Sequence, residues 1–240
     1  KENSMSNDRI KAWSYSRLVD FEQCKLRAKL KYIDRIPEPA RPLPPGKTEH
    51  ANDRGTRIHD AAERFVRGGV ELIPELKVFS TEFHDLRNKY EHGMVSLEGE
   101  WAINKDWEPV AWGDRDAWAR IKLDAFVRLS KTHAVVIDYK TGKKFGNEIK
   151  HAEQTQLYQL AAFLRYPELE TIDVELWYTD QDDLTHMKYT RAQGMRFFQN
   201  FNQRGIAMTT AEAFPPSPNV FACKWCPYGP RGTGDCDKGV

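Results

Sequence analysis

The stretch Ala134-Val135-Val136-Ile137-Asp138-Tyr139-Lys140-Thr141-Gly142 decides how the rest of the chain is read. Ala134 to Ile137 are apolar and partly β-branched, which suits a short buried strand, and the stretch then turns into a polar tip. Asp138 and Lys140 are two apart. On a strand both side chains leave the same face, roughly 6.5–7 Å apart at the base. A carboxylate and an ammonium at one strand end suit metal-assisted hydrolysis: the acid holds a hard divalent cation, and the amine steadies an attacking water or the charge developing on phosphate. A lone D-x-K is more often a surface ion pair, so its weight comes from the company it keeps.

With 240 residues and a net charge of +1, the chain has room for one domain with a sizeable core and no global electrostatic commitment to nucleic acid. A DNA-binding surface would have to come from local clustering. No apolar run approaches the ~20 residues of a membrane span, and no secretory signal is visible. The expectation is a soluble, cytoplasmic protein with a disordered segment 1–12 and a single domain 13–240. That domain divides into a helical lobe 13–93, a core 94–190 and a C-terminal helix and tail 191–240.

Ser14 or Ser16 can cap a helix running to about Asp34, with Leu18, Leu26, Leu30 and Ile33 as its apolar stripe and Lys25, Arg27, Lys29, Lys31 and Arg35 as a basic face. Prolines at 37, 39, 42, 44 and 45 exclude regular structure there. A second helix, about Asn52 to Arg67, closes at Gly68-Gly69 and carries His59 and Glu63 on one side, next to a core face of Ile58, Ala61, Ala62, Phe65 and Val66. Leu76, Phe79, Phe83, Leu86 and Tyr90 suggest a third, ended by Gly93.

Strands follow from Met94, where Glu98 and Glu100 leave the same face; the pattern does not choose between them as an active acid, and both read most simply as solvated. Trp101, Trp107, Trp112 and Trp118 read as packing. From Ala119 to Leu129 the alternation is clean: Ala119, Ile121, Leu123, Ala125 and Val127 face one way, and Arg120, Lys122, Asp124, Phe126 and Arg128 the other. An acid among cations suits a metal site beside a phosphate track. Ser130 to His133 then make a hairpin with the opening stretch.

After Lys140 comes a flexible basic loop, with Lys143 and Lys144 as candidate phosphate contacts. A helix from about Glu148 to Tyr166 places Gln154 and Tyr158 side by side. Two more strands and a helix, about Gln193 to Glu212, complete an α/β pattern: a small central mixed sheet flanked by helices. The tail holds Cys223-x-x-Cys226 and Cys236 among Pro and Gly. With Cys24 these are all four cysteines, which suits a closed four-thiolate site, although Cys24 taken alone reads as a core thiol.

In this order, G-x-x-x-H (Gly55 to His59), LDAF around Asp124, IDYKTG, Q-x-x-x-Y (Gln154 to Tyr158) and one early plus three late cysteines resemble the RecB-like branch of the PD-(D/E)XK nucleases. That branch includes the iron–sulfur CRISPR-adaptation exonucleases, the AddB nuclease domain and phage-encoded relatives. The resemblance runs from about Trp13 to Asp237.

It implies a restriction-endonuclease-like core and a divalent-metal-dependent DNA nuclease, an exonuclease of recombination, repair or phage DNA processing in a bacterial or phage-infected cell. Mg²⁺ or Mn²⁺ would be held by His59, Asp124, Asp138 and the Tyr139 carbonyl. Lys140 would activate water, with Gln154 and Tyr158 as the wall, and Arg120, Lys122, Lys143 and Lys144 would contact DNA. The partners implied are single-stranded DNA or duplex ends, and recombination or replication proteins. Cys24, Cys223, Cys226 and Cys236 would ligate a [4Fe–4S] cluster joining the N-terminal helix to the tail.

Two departures stand out. Lys122 occupies a position where the family tends to have Gly. The gap before Cys236 is long, which keeps a structural Zn²⁺ open as the occupant. The rival class is a catalytically inactive single-stranded-DNA-binding scaffold stapled by the four cysteines. Metal-dependent release of nucleotides separates the two.

Overall fold

The structure, a computed structural model, describes residues 9–240. Its centre is a six-stranded mixed sheet in the order β2-β1-β3-β4-β5-β6. The strands are β1 (Val95–Ile103), β2 (Pro109–Val110), β3 (Ala119–Arg128), β4 (His133–Lys140), β5 (Thr171–Tyr178) and β6 (Asp183–Thr190). All pairings are antiparallel except β4 with β5. That exception follows from the helical crossover between them, α5 (Glu148–Arg165).

Helices cover both faces. One core cluster joins α3 (Ala51–Val66), the 3-10 turn Pro74–Phe79 and α4 (Ser80–Glu91) to Ile137, Tyr139 and Trp177 of the sheet. The other joins α1 (Tyr15–Gln23), α5 and α7 (Phe198–Thr209) to Val136, Ile172 and Val174. The hairpin, the crossover and the mixed α/β architecture are those the sequence predicts. Among the described residues, no helix is long and apolar enough to cross a membrane.

β1 and β3 form a ribbon that changes sides along its length. Val95, Ala125 and Val127 pack in the α3/α4 core, whereas Trp101, Ile121 and Leu123 of the same two strands pack in the α1/α5/α7 core. The change falls between Leu123 and Ala125, opposite Glu98, whose backbone takes the left-handed conformation with φ 48°. Asp124 therefore sits where the ribbon twists, between two cores.

Four elements depart from the sequence expectation. The N-terminal helix is not continuous. Ser14 caps α1, its side chain accepting from Arg17 N, but Cys24 is extended (φ −160°, ψ 111°) and a separate α2 (Lys25–Tyr32) starts after it. The break lets Cys24 face a cavity, so the core-thiol reading fails. The last helix is also split, into α6 (Arg191–Met195) and α7. Arg191 reaches back to donate to the carbonyls of Phe163, Tyr166, Pro167 and Leu169, answering the orphan acceptors at the end of α5.

The ordered chain begins before Trp13, because Ile10 and Ala12 are buried; residues 1–8, the rest of the segment expected to be disordered, lie outside the described residues. The basic loop after Lys140 is pinned, not free: Gly142 N donates to Asp180, and Gln181 Nε2 donates to Gly142 O at 2.6 Å.

Trp13, Trp107, Trp118 and Phe201 form one aromatic knot against α7. A Cβ at Gly205 would come within 2.5 Å of Trp13 Nε1 and 2.8 Å of the Trp118 ring, so only glycine lets α7 approach this closely. Gly205→Ala should destabilise the protein by about 1–3 kcal/mol through overpacking, read as a lowered denaturation midpoint. An unchanged midpoint would mean that α7 can move away without loss.

Candidate active site

Asp124 on β3 and Asp138 on β4 are the centre of the site. The β3–β4 ladder ends with the pair Ala125–Ile137, and Asp124 and Asp138 are the next residue beyond it on each strand. There the side chain takes over from the backbone ladder: Tyr139 N donates to Asp124 Oδ2 at 2.7 Å. The other Asp124 oxygen lies 2.8 Å from His59 Nδ1. Burial raises the Asp124 pKa; the His59 hydrogen bond opposes this and the Asp138 charge adds to it, and the net shift is upward. For His59 burial acts downward, but the hydrogen bond and charge of Asp124, with Asp138 behind it, outweigh it and raise the imidazole.

Asp138 belongs to a closed ring of side chains. Tyr158 OH donates to Asp138 Oδ1 (3.0 Å), Gln154 Nε2 donates to the Tyr158 oxygen (2.5 Å), and Lys140 Nζ donates to Gln154 Oε1 (2.6 Å). Lys140 Nζ also stands 2.6 Å from Asp138 Oδ2. That oxygen is fully buried and yet accepts no well-directed hydrogen bond, so the lysine holds it by charge alone. Burial and the Asp138 charge push the Tyr158 hydroxyl well above its usual range, so it stays a donor.

The site is braced from outside. Arg54 on α3 grips Asp180 through both terminal nitrogens (2.9 and 2.7 Å), and Asp180 also accepts from Gly142 N (2.8 Å). This fixes the helix that carries His59 to the loop that follows Lys140. Sequence reading missed Asp180, which lies in an ordinary-looking turn.

It also missed His151, one helical turn before Gln154, whose Nδ1 is 2.8 Å from Tyr178 OH. Burial and the Lys140 charge push His151 down to about 4, so it is neutral near pH 7. Of the expected DNA contacts, Arg120 and Lys122 line a groove together with Lys140, Gln154 and Tyr158, but Lys143 and Lys144 do not. Lys144 is paired with Asp183 (2.6 Å). Glu63 pairs with Arg67 (2.6 Å) and Glu98 with Lys122, so neither is spare, while Glu100 is exposed.

The four cysteines are free thiols, and all four line one cavity between the α1–α2 break and the tail. Among the described residues, no three His, Cys, Asp or Glu side chains converge as a ready metal-holding group, at the aspartates or at the cysteines.

A family model for the PD-(D/E)XK nuclease superfamily matches residues 12–231. The chain belongs to the PD-(D/E)XK nuclease superfamily. Similar solved structures include the SSO0001 protein (13% identity, 97% of this chain and 88% of that one, TM-score 0.40). Others are the alkaline exonuclease LHK-Exo from Laribacter hongkongensis (13%, 83% and 87%, 0.34) and a phage-related exonuclease from Haemophilus somnus 129PT (9%, 67% and 86%, 0.31). No curated protein matches the chain significantly. The matched residues include the D-x-K sequence Asp138-Tyr139-Lys140.

The His151 shift has a consequence for stability. The unfolded chain takes up this proton near pH 6.5 and the folded chain only near pH 4. Between those values the unfolded state binds more protons, so stability falls as the pH falls. His151→Asn should therefore lose less melting temperature than the wild type when the pH drops from about 6.5 to 4. Parallel melting curves for the two proteins would mean His151 titrates normally.

Proposed function

We propose that this protein is a divalent-metal-dependent DNA nuclease acting from strand ends, an exonuclease, with His59, Asp124, Asp138 and the Tyr139 carbonyl as the ligands of Mg²⁺ or Mn²⁺. The observation that carries this reading is the closeness of Asp124 and Asp138 where the β3–β4 ladder ends, near enough for the Asp138 charge to raise the Asp124 carboxyl, with one buried Asp138 oxygen lacking a directed donor. Like charges close to each other cost stability, and burial raises that cost. A cation between them relieves both, and carboxylates with a carbonyl and an imidazole suit a hard cation that keeps some of its water. Such a cation, when bound, polarises phosphate oxygens and lowers the pKa of water.

The chain's own residues do the rest. One of the three Lys140 protons is directed at Gln154 and none at Asp138, so the ammonium keeps protons to hold a water or a phosphate oxygen. Gln154 and Tyr158 fix the lysine and Asp138 Oδ1, which keeps the D-x-K pair from swinging into solvent. The same intact ring argues against the scaffold reading, since a binding protein has no use for it.

Lys140→Ala should lower nuclease rate by about 10²–10⁴-fold with DNA binding near wild type, because the group acts on the chemistry, and should also lower the melting temperature, because the buried Asp138 oxygen loses its one charge partner. Asp124→Asn and Asp138→Asn should each weaken Mn²⁺ binding about tenfold or more, read by calorimetry without substrate. Unchanged Mn²⁺ affinity in both variants would put the metal elsewhere. Digestion of end-labelled linear against circular DNA tests the end dependence.

We further propose that Cys24, Cys223, Cys226 and Cys236 hold one structural metal centre, a [4Fe–4S] cluster, with Zn²⁺ as the alternative occupant. Support comes from one cavity lined by all four free thiols, one from the start of the fold and three from its end. A clip across so long a loop removes much unfolded-chain entropy. Cys24→Ser should bleach the protein, lower its melting temperature and expose the tail to protease, while nuclease activity persists at low temperature. A colourless protein with stoichiometric zinc would make the centre a zinc site. Full metal content and an unchanged melting temperature in Cys24→Ser would remove the clip altogether.

A further inference from the structure

Beside the D-x-K site runs an open groove of about 510 Å³, floored by β3 and walled by the start of α1 and the first turns of α5. Its lining includes Arg17, Arg120, Lys122, Lys140 and Lys150, and contains no Asp or Glu. Lys122 is paired with Glu98 and Lys140 with Asp138, which leaves Arg17, Arg120 and Lys150 as the lining cations with no carboxylate partner among the described residues. Asp114, near Trp112, stays out of the groove; its Oδ1 accepts from Asp116 N in their own turn.

One aromatic side chain on this lining differs from its fellows. Trp101, Trp107 and Trp118 are buried in the core, but Trp112 is half-exposed. Arg120 braces it twice: Nε donates to Trp112 O (3.2 Å), and the guanidinium carbon lies 5.7 Å from the ring centroid. A cation behind an aromatic ring, beside a run of further cations, is the arrangement that seats a base and the phosphates next to it. The groove's volume falls in the small-ligand range, roughly 300–1,000 Å³, which is room for an unpaired nucleotide.

From this we infer that the groove is a single-strand track: an unpaired base stacks on Trp112, with Arg120 on its flanking phosphate, and the strand leads from there to Lys140. The inference rests on the nuclease reading for what happens at the end of the track, but not for binding itself. The substrate class it assigns is single-stranded DNA, or the frayed strand of a duplex end, recognised without regard to sequence because every base has a stacking face.

The test measures binding with divalent metal chelated, using a fluorescein-labelled oligothymidylate of about a dozen nucleotides and a blunt duplex of the same length. Trp112→Ala should weaken single-strand binding about 5- to 150-fold, the range of one lost stack, with duplex binding unchanged. Trp112→Phe should keep most of the affinity but lose part of the fluorescence quench that the oligonucleotide causes in the wild type. Arg120→Gln should lower the single-strand salt slope by about 0.7, the value of one phosphate contact; Trp112→Ala should leave the slope alone. Wild-type single-strand affinity in Trp112→Ala, or an equal loss for duplex, overturns the track. If the wild type binds as expected but releases no nucleotides with Mg²⁺ or Mn²⁺, the nuclease reading fails and the track stands.

Discussion

Two carboxylates held close to each other at the edge of two cores set the terms for this structure. Asp124 and Asp138 repel, and burial makes that repulsion worse than it would be in water. The protein offsets the cost by giving three of the four oxygens a directed partner: His59 and Tyr139 N for Asp124, and the Tyr158 hydroxyl for Asp138. The fourth oxygen has only the charge of Lys140. These partners come from α3, β4 and α5, so the fold must bring a helix from each side of the sheet to one pair of strands.

That demand explains the architecture around the pair. The β1–β3 ribbon changes its apolar side at Asp124, which opens the acid towards both layers. The parallel β4-α5-β5 unit swings α5 back over β4, so Gln154 and Tyr158 land on the strand that bears Asp138 and Lys140. On the other side, the Arg54–Asp180–Gly142 bridge ties α3 to the strand tips. Rigid elements clamp the site, which keeps charged groups oriented without reorganisation when a substrate charge appears.

The two ends of the chain obey a related constraint. The tail has little core of its own, and one side chain carries most of its attachment: Tyr228 is fully buried and donates to Ile36 O at 3.1 Å. Arg41 adds a hydrogen bond to Trp225 O, and Leu26 N one to Pro215 O. These contacts bring the three late cysteines to the break at Cys24. The proline-rich segment, which reads as a mere linker, is thus one wall of the seam on which the tail is laid.

Local patterning determined much of this protein from sequence alone. The apolar run of β4, the 3.6-period face of α3 and the turn at Ser130 to His133 needed no tertiary help, because burial imposes those patterns. β3 was legible as a strand, but its expected single apolar face, Ala119 to Val127, is divided in the fold between two cores at Asp124. The elements that carry His59, Asp124, Asp138, Lys140, Gln154 and Tyr158 were legible in the same way, whereas their grouping into one site was what the family resemblance implied. What the tertiary structure alone decided was how charges pair. Lys143 and Lys144 look as free in sequence as Arg120, yet Lys144 is spent on Asp183 and the loop is tied to Asp180 and Gln181. His151, Asp180 and Trp112 carry no local signal, since a lowered pKa, a brace and an exposed ring depend on neighbours far away in sequence. The break at Cys24 belongs here too: helix propensity runs straight through it, and the extended residue lines a cavity shared with the distant tail.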